Sequence, residues 1–199
     1  MVAQSCYKNG MPRLIDHAER RAELAEAVWR VVLREGVAHV SVRTVAAEAG
    51  VSTGSLRHIL PTYDELVAAA LERVNERVTA RVMGLSASLV GKERALAIVA
   101  ELLPLDAPRR AELEVQLSLI ALSFSNRRLA QLRDESDAAL LRACHHVLGL
   151  IGAADSDLEA ARLYALVDGL ALHLIYRTSL TPAAAMEAVA LHLDTLGEQ

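Results

Sequence analysis

Between Ser52 and His58 the chain places Ser52, Thr53, Gly54, Ser55, Arg57 and His58, with Leu56 the one large apolar side chain among them. Hydroxyls bond phosphate oxygens or base edges. Arginine pairs with a phosphate or with guanine O6/N7, and histidine does either more weakly. Short side chains let a backbone approach a duplex closely. The grouping therefore points to contact with a nucleic acid. The rival reading is an ordinary helical hairpin with a polar rim.

Other reactive side chains are more scattered. Asp168 lies inside an otherwise apolar run, with Tyr164 four residues before it on the same helical face and His173 farther round. Cys144, His145 and His146 are consecutive, so on a helix they splay around the axis and do not share one ion. No metal or other cofactor is expected. No Gly-rich phosphate loop, H-E-x-x-H or nucleophile with its base stands out, so the chain does not read as an enzyme.

The elements that carry these residues read as all-α, with about nine helices. From Asp16 to Glu35, Ala18, Ala22, Ala25, Val28, Trp29 and Val32 recur at three- and four-residue steps, and Gly36 stops the run. Ser41 caps a short helix to Ala49, Gly50 suits a left-handed turn, and Ser52 or Thr53 caps a second short helix ending at Pro61. Two helices joined by a tight Gly-bearing turn form a helix-turn-helix, here at 41–60. Ala46 must be small where the helices cross, and Val45, Val51, Leu56 and Ile59 fill the space beneath. Thr62 caps a long helix over 62–82. Further helices are expected near 92–103, 109–123, 126–151, 157–178 and 182–197.

Composition bounds the rest. Of 199 residues, 53% are hydrophobic and only 3% aromatic, which favours helix over strand. The net charge of −4 lies in the C-terminal part: residues 1–80 hold 10 basic and 10 acidic side chains, residues 81–199 hold 11 and 15. A neutral N-terminal part can still carry a basic face. No membrane span and no signal peptide are legible, and Cys6 and Cys144 alone make no disulfide framework, so a cytoplasmic protein is expected. Residues 1–12 read as a loose tail, with Met11 a candidate initiator.

The segment "VAAEAGVSTGSLRHILPTYDEL" resembles the DNA-binding signature of the TetR family of bacterial transcriptional regulators. Arg57 stands where that family often has Tyr, Leu60 where it often has Phe, and Tyr63 where it often has Lys. The helix count and length extend the resemblance to the whole chain. "LVDGLALHLIYRTSLTPAAAMEAV" is similar to the choline-responsive BetI-like subgroup.

The resemblance implies a DNA-binding head over residues 13–61 and an effector-binding, dimerising part over 62–199, joined by the long fourth helix. It implies a ligand-responsive regulator, a homodimeric repressor released from a palindromic double-stranded operator. The alternative is an all-helical small-molecule-binding or interaction protein without DNA binding. Ser41, Arg43, Ser52, Thr53, Gly54, Ser55, Arg57, His58, Thr62 and Tyr63 are the expected DNA contacts. The run "LYALVDGLALHLIY", apolar nearly all round, suggests burial on more than one side. Gly169, Tyr176, Val189, Leu193 and Leu196 are the expected dimer interface. Gln116, Phe124, His145, Tyr164, Asp168 and His173 are the expected effector contacts. Phe124, Tyr164 and Tyr176 are the only aromatics beyond residue 80, too few for a choline cage, so the effector is expected to be a small, mainly apolar organic molecule.

Overall fold

A computed structural model describes residues 17–153, 157–176 and 179–197. The tail with Met11 and Cys6, and the end of the eighth expected helix at 177–178, lie outside them. Among the described residues the chain is all-α, with nine α-helices and one short 3-10 turn at Val37–His39. The helices are α1 (His17–Glu35), α2 (Val42–Glu48), α3 (Thr53–Ile59), α4 (Tyr63–Met83), α5 (Gly91–Leu102), α6 (Ala107–Ser123), α7 (Arg127–Leu150), α8 (Asp157–Tyr176) and α9 (Pro182–Gly197).

Local chemistry sets the boundaries. Ser41 and Thr44 form a reciprocal capping box at the start of α2, Ser52 Oγ accepts from the Ser55 amide, and Thr62 Oγ1 accepts from the Glu65 amide. Each satisfies an amide that the first helical turn leaves without a partner. Gly50 sits at φ +65°, a conformation that costs a residue with a Cβ. Asp106 and Asn126 cap α6 and α7 in the same way.

Two apolar clusters hold the helices. The first gathers α1 to α4 around Trp29, Val45, Leu56, Leu60 and Leu66, and draws in Ala111, Val115 and Leu119 of α6 and Leu129 of α7. The second joins α5, α8, α9 and the end of α7 around Ile98, Leu148, Leu163 and Val189. On α1 the buried stripe is Leu24, Ala25, Ala27, Val28, Trp29, Val31 and Val32, while Ala18 and Ala22 are exposed. The expected stripe ran on past the point where α1 leaves the core.

The α9 stripe requires a correction. Ala185, Val189, Leu193 and Leu196 all face the chain's own second cluster, with Val189 0% and Leu193 1% exposed. The interface expected of Val189, Leu193 and Leu196 is thus occupied by α5 and α8 of the same chain. A stripe at helical spacing shows that a face is buried, not against what. The outward face of α9 carries Leu191, 61% exposed.

No helix among the described residues is long and apolar enough to cross a membrane.

Candidate nucleic-acid interface and effector cavity

The underside of α3 is Leu56, fully buried, with Ile59 half-buried beside it. Its other residues, Thr53, Gly54, Ser55, Arg57 and His58, are exposed. Part of the hydroxyl crowding is structural: Ser52 Oγ lies 2.9 Å from Ser55 Oγ as well as capping the helix, and Ser41 and Thr62 are spent first on caps. Thr53, Arg57 and His58 do not cap a helix and point outward. Arg43, early on α2, is exposed, and Tyr63 opens α4 with 40% exposure. Partial burial and neighbouring Asp64 raise the Tyr63 phenol above its ordinary range, so it stays a hydroxyl donor.

Helices α2 and α4 are braced against α1 by residues that the sequence reading did not single out. Glu48 of α2 receives Arg30 Nε at 2.6 Å and Arg34 Nη1 at 2.7 Å, both from α1. These arginines hold the Glu48 carboxyl below its ordinary range. Arg73 and Arg77 of α4 meet Glu26 of α1 at 2.6 and 3.1 Å, and Arg77 lies 4.9 Å above the buried Trp29 ring. With Arg21 meeting Glu65 and Glu72, α1 is tied to α4 from its first turn to past its middle.

From Leu71 onward α4 forms a wall of a cavity of about 420 Å³ that α5, α6, α7 and α8 also line. Most of the wall is aliphatic, including Leu71, Val78, Leu113, Leu117, Leu140 and Val167, and among the described residues Tyr164 is its only aromatic ring. Of the expected effector residues, Gln116, Tyr164 and Asp168 line it. Phe124, His145 and His173 lie off this wall. Phe124 follows the last turn of α6, where the chain leaves the cavity, and is 81% exposed. His145 turns toward Asp157 at 3.6 Å, and His173 packs edge-on against Tyr176 with centroids 5.3 Å apart.

Asp137, on α7, is a cavity residue that sequence reading missed. Tyr164 donates its hydroxyl to Asp137 Oδ1 at 3.2 Å across two helices, a contact no local spacing encodes. Burial, then Asp137 and Asp168, push the Tyr164 hydroxyl up to about 12, so it remains a donor at neutral pH. Burial and Asp137 also raise the Asp168 carboxyl. At the other end of the cavity Glu112, 5% exposed, takes two arms of Arg81, both at 2.7 Å, and Arg81 also reaches Glu101. Glu112 did leave a sequence signal: an acid in register with the apolar stripe of Val115 and Leu119.

Cys144 is buried, its thiol pushed up to about 11, while His145 is half-buried and His146 exposed. The three point in different directions. No cluster of three metal-ligating side chains occurs among the described residues.

Gly169 of α8 faces open space: a Cβ there would meet nothing within 4 Å among the described residues. Tyr176 on the same helix is 62% exposed.

Residues 91–198 match the model of a family described as the C-terminal part of BetI-type transcriptional repressors. The chain is 40% identical over 171 residues to the HTH-type transcriptional regulator PksA of Bacillus subtilis, covering 82% of each chain. It superposes on the crystal structure of a transcriptional regulator from Rhodococcus sp. Rha1 with a TM-score of 0.76 and 30% identity, covering 89% of this chain and 96% of that one. A transcriptional regulator from Saccharomonospora viridis, solved in complex with choline, superposes with a TM-score of 0.66 and 25% identity over 92% of this chain and 97% of that one. The braced helix-turn-helix, the nine helices and these likenesses agree: the chain belongs to the TetR family of transcriptional regulators, DNA-binding proteins rather than enzymes.

Proposed function

We propose that the protein is a homodimeric repressor, released from a palindromic operator when a small, mainly apolar organic molecule fills the cavity. One observation carries this reading: the unbroken helix α4 is tied to α1 of the head from its first turn to past its middle, and from Leu71 onward it also walls the cavity. Residues 13–61 would read DNA, and 62–199 would bind effector and partner. A ligand that binds better when α4 is tilted away from the DNA-bound pose shifts the population toward release.

In this reading α3 enters the major groove, with Thr53, Gly54, Arg57 and His58 nearest the bases. Ser52 and Ser55 flank them, and Arg43, Ser41, Thr62 and Tyr63 lie toward the phosphates. Each head reads one half-site, about 34–36 Å from the other. The partner covers the outward face of α8 and α9, where Gly169, Tyr176 and Leu191 are turned away from the chain's own core. The aliphatic wall suits an apolar effector at about 25 cal/mol per Å² buried. The Saccharomonospora viridis relative was solved with choline. In this chain Tyr164 is the one ring on the wall, which supports a different ligand. As a regulator of chromosomal genes the protein would act in the cytoplasm.

The test is gel-shift titration with DNA upstream of its own gene at two salt concentrations, followed by addition of thermal-shift hits from apolar acids, phenols, lactones and amines. Specific binding with a steep salt response, lost on adding a hit, is expected. Failure to select any genomic fragment would refute the operator, and DNA affinity unchanged by every hit would refute the release.

A further inference from the structure

The charges on the cavity wall do not balance. Glu101 and Glu112 are met by Arg81 and Arg109, and Arg133 is engaged by Asp134 and Ser123. Among the described residues Asp137 meets only the Tyr164 hydroxyl, and Asp168 has neither a hydrogen bond nor an ion pair. Two exposed carboxylates thus stand on a largely apolar wall, and no cation of the chain pairs with either among the described residues.

We propose that the cavity selects a protonated amine carried on an aliphatic body, its N–H groups shared by Asp137 and Asp168 while Tyr164 holds Asp137 in place. This rests on reading the cavity as the effector site. An ammonium group supplies both missing components, a positive charge and several donors. A carboxylic acid would add a third negative charge beside two. An alcohol would gain the same apolar burial but leave the carboxylates uncompensated. A quaternary ammonium offers no donor and is held best by several aromatic faces, of which the wall has one. Burial and mutual repulsion already disfavour ionised Asp168, and a bound cation relieves the repulsion.

Matched ligands test this: octylamine, octanol, octanoate and octyltrimethylammonium, titrated calorimetrically into the full-length protein at pH 7.5. The same titrations use Asp137→Asn, Asp168→Asn and the double variant. Asparagine keeps the shape of each side chain and an acceptor for Tyr164. Octylamine should bind at least about ten-fold tighter than the other three, the difference a charge-assisted hydrogen bond makes. In the double variant that advantage should fall to about two-fold or less with octanol unchanged, and each single variant should lose part of it. Octanol, octanoate or the quaternary salt binding as well as octylamine overturns the selection, as does an amine advantage that survives the double substitution. If none of the four binds, the cavity reading itself fails, and the proposal with it.

Discussion

Asn126 donates from Nδ2 to Asp64 Oδ2 at 2.6 Å, tying the first turn of α7 to the first turn of α4. Arg128 pairs with Glu65, two residues past Asn126 and one past Asp64. Asp137, on the cavity wall, lies on the same α7 three turns from that tie. Movement of α7 around a ligand therefore has a direct route to the base of the reading head.

Asn126 also caps α7 through the Arg128 and Leu129 amides. Asn126→Ser keeps a capping hydroxyl but cannot span to Asp64. Urea midpoints should stay close to wild type. The loss of operator affinity that ligand causes, which in coupled systems runs to about 5–150-fold, should shrink several-fold. Operator titrations with and without ligand read this, and an unchanged ratio would show that the tie carries no coupling.

Arg57 is exposed on α3, and no hydrogen bond or ion pair of its side chain occurs among the described residues. Arg57→Ala should weaken specific operator binding by about 1–3 kcal/mol, one or two decades, with unchanged helicity. Arg43→Ala should instead weaken binding to all sequences alike and lower the salt slope by about one. Salt-dependent gel shifts on operator and scrambled DNA separate the two.

Leu191 and Leu193 lie on opposite sides of α9, 61% and 1% exposed. Leu191→Asp should leave the chain folded but lower its dimer content in sedimentation. Leu193→Asp should unfold it, because an ionised carboxylate in the second cluster has no partner and costs about 3 kcal/mol or more. Gly169→Leu should act like Leu191→Asp, since a Cβ there meets nothing within 4 Å among the described residues. A fully dimeric Leu191→Asp would move the interface elsewhere.

Burial and Asp137 hold the Asp168 carboxyl above its ordinary range, so the folded chain binds that proton more tightly than the unfolded one. The ionised form therefore costs stability at neutral pH, and the cost fades as pH falls through the raised folded value. Asp168→Asn should raise the urea midpoint at pH 7.5, with a smaller gain toward pH 4.5. Equal gains at both pH values would mean that the effect is not one of charge.

The nine helices and their starts were legible because their signals are local. Ser41, Ser52 and Thr62 cap the turn that immediately follows each, and Gly50 takes the backbone angle that its own missing Cβ permits. The exposed set on α3 was legible for the same reason: once Leu56 is inward, helical geometry turns Thr53, Arg57 and His58 outward. Tyr164 and Asp168 share a face by spacing alone and do line the cavity.

What lies across from a helix face depends on how helices cross, and spacing within one helix carries no trace of it. Val189, Leu193 and Leu196 read as a seam for a partner, yet the packing of α5 and α8 against them makes that stripe the chain's own core. Phe124, His145 and His173 read as pocket residues, yet the end of α6 and the contacts of Asp157 and Tyr176 turn them elsewhere. Asp137 and Tyr164 meet over 27 positions, and Glu48 meets Arg30 and Arg34 over 18 and 14. Such pairs exist only after the helices have packed, because a side chain's reach is a few ångströms in space whatever the distance along the chain.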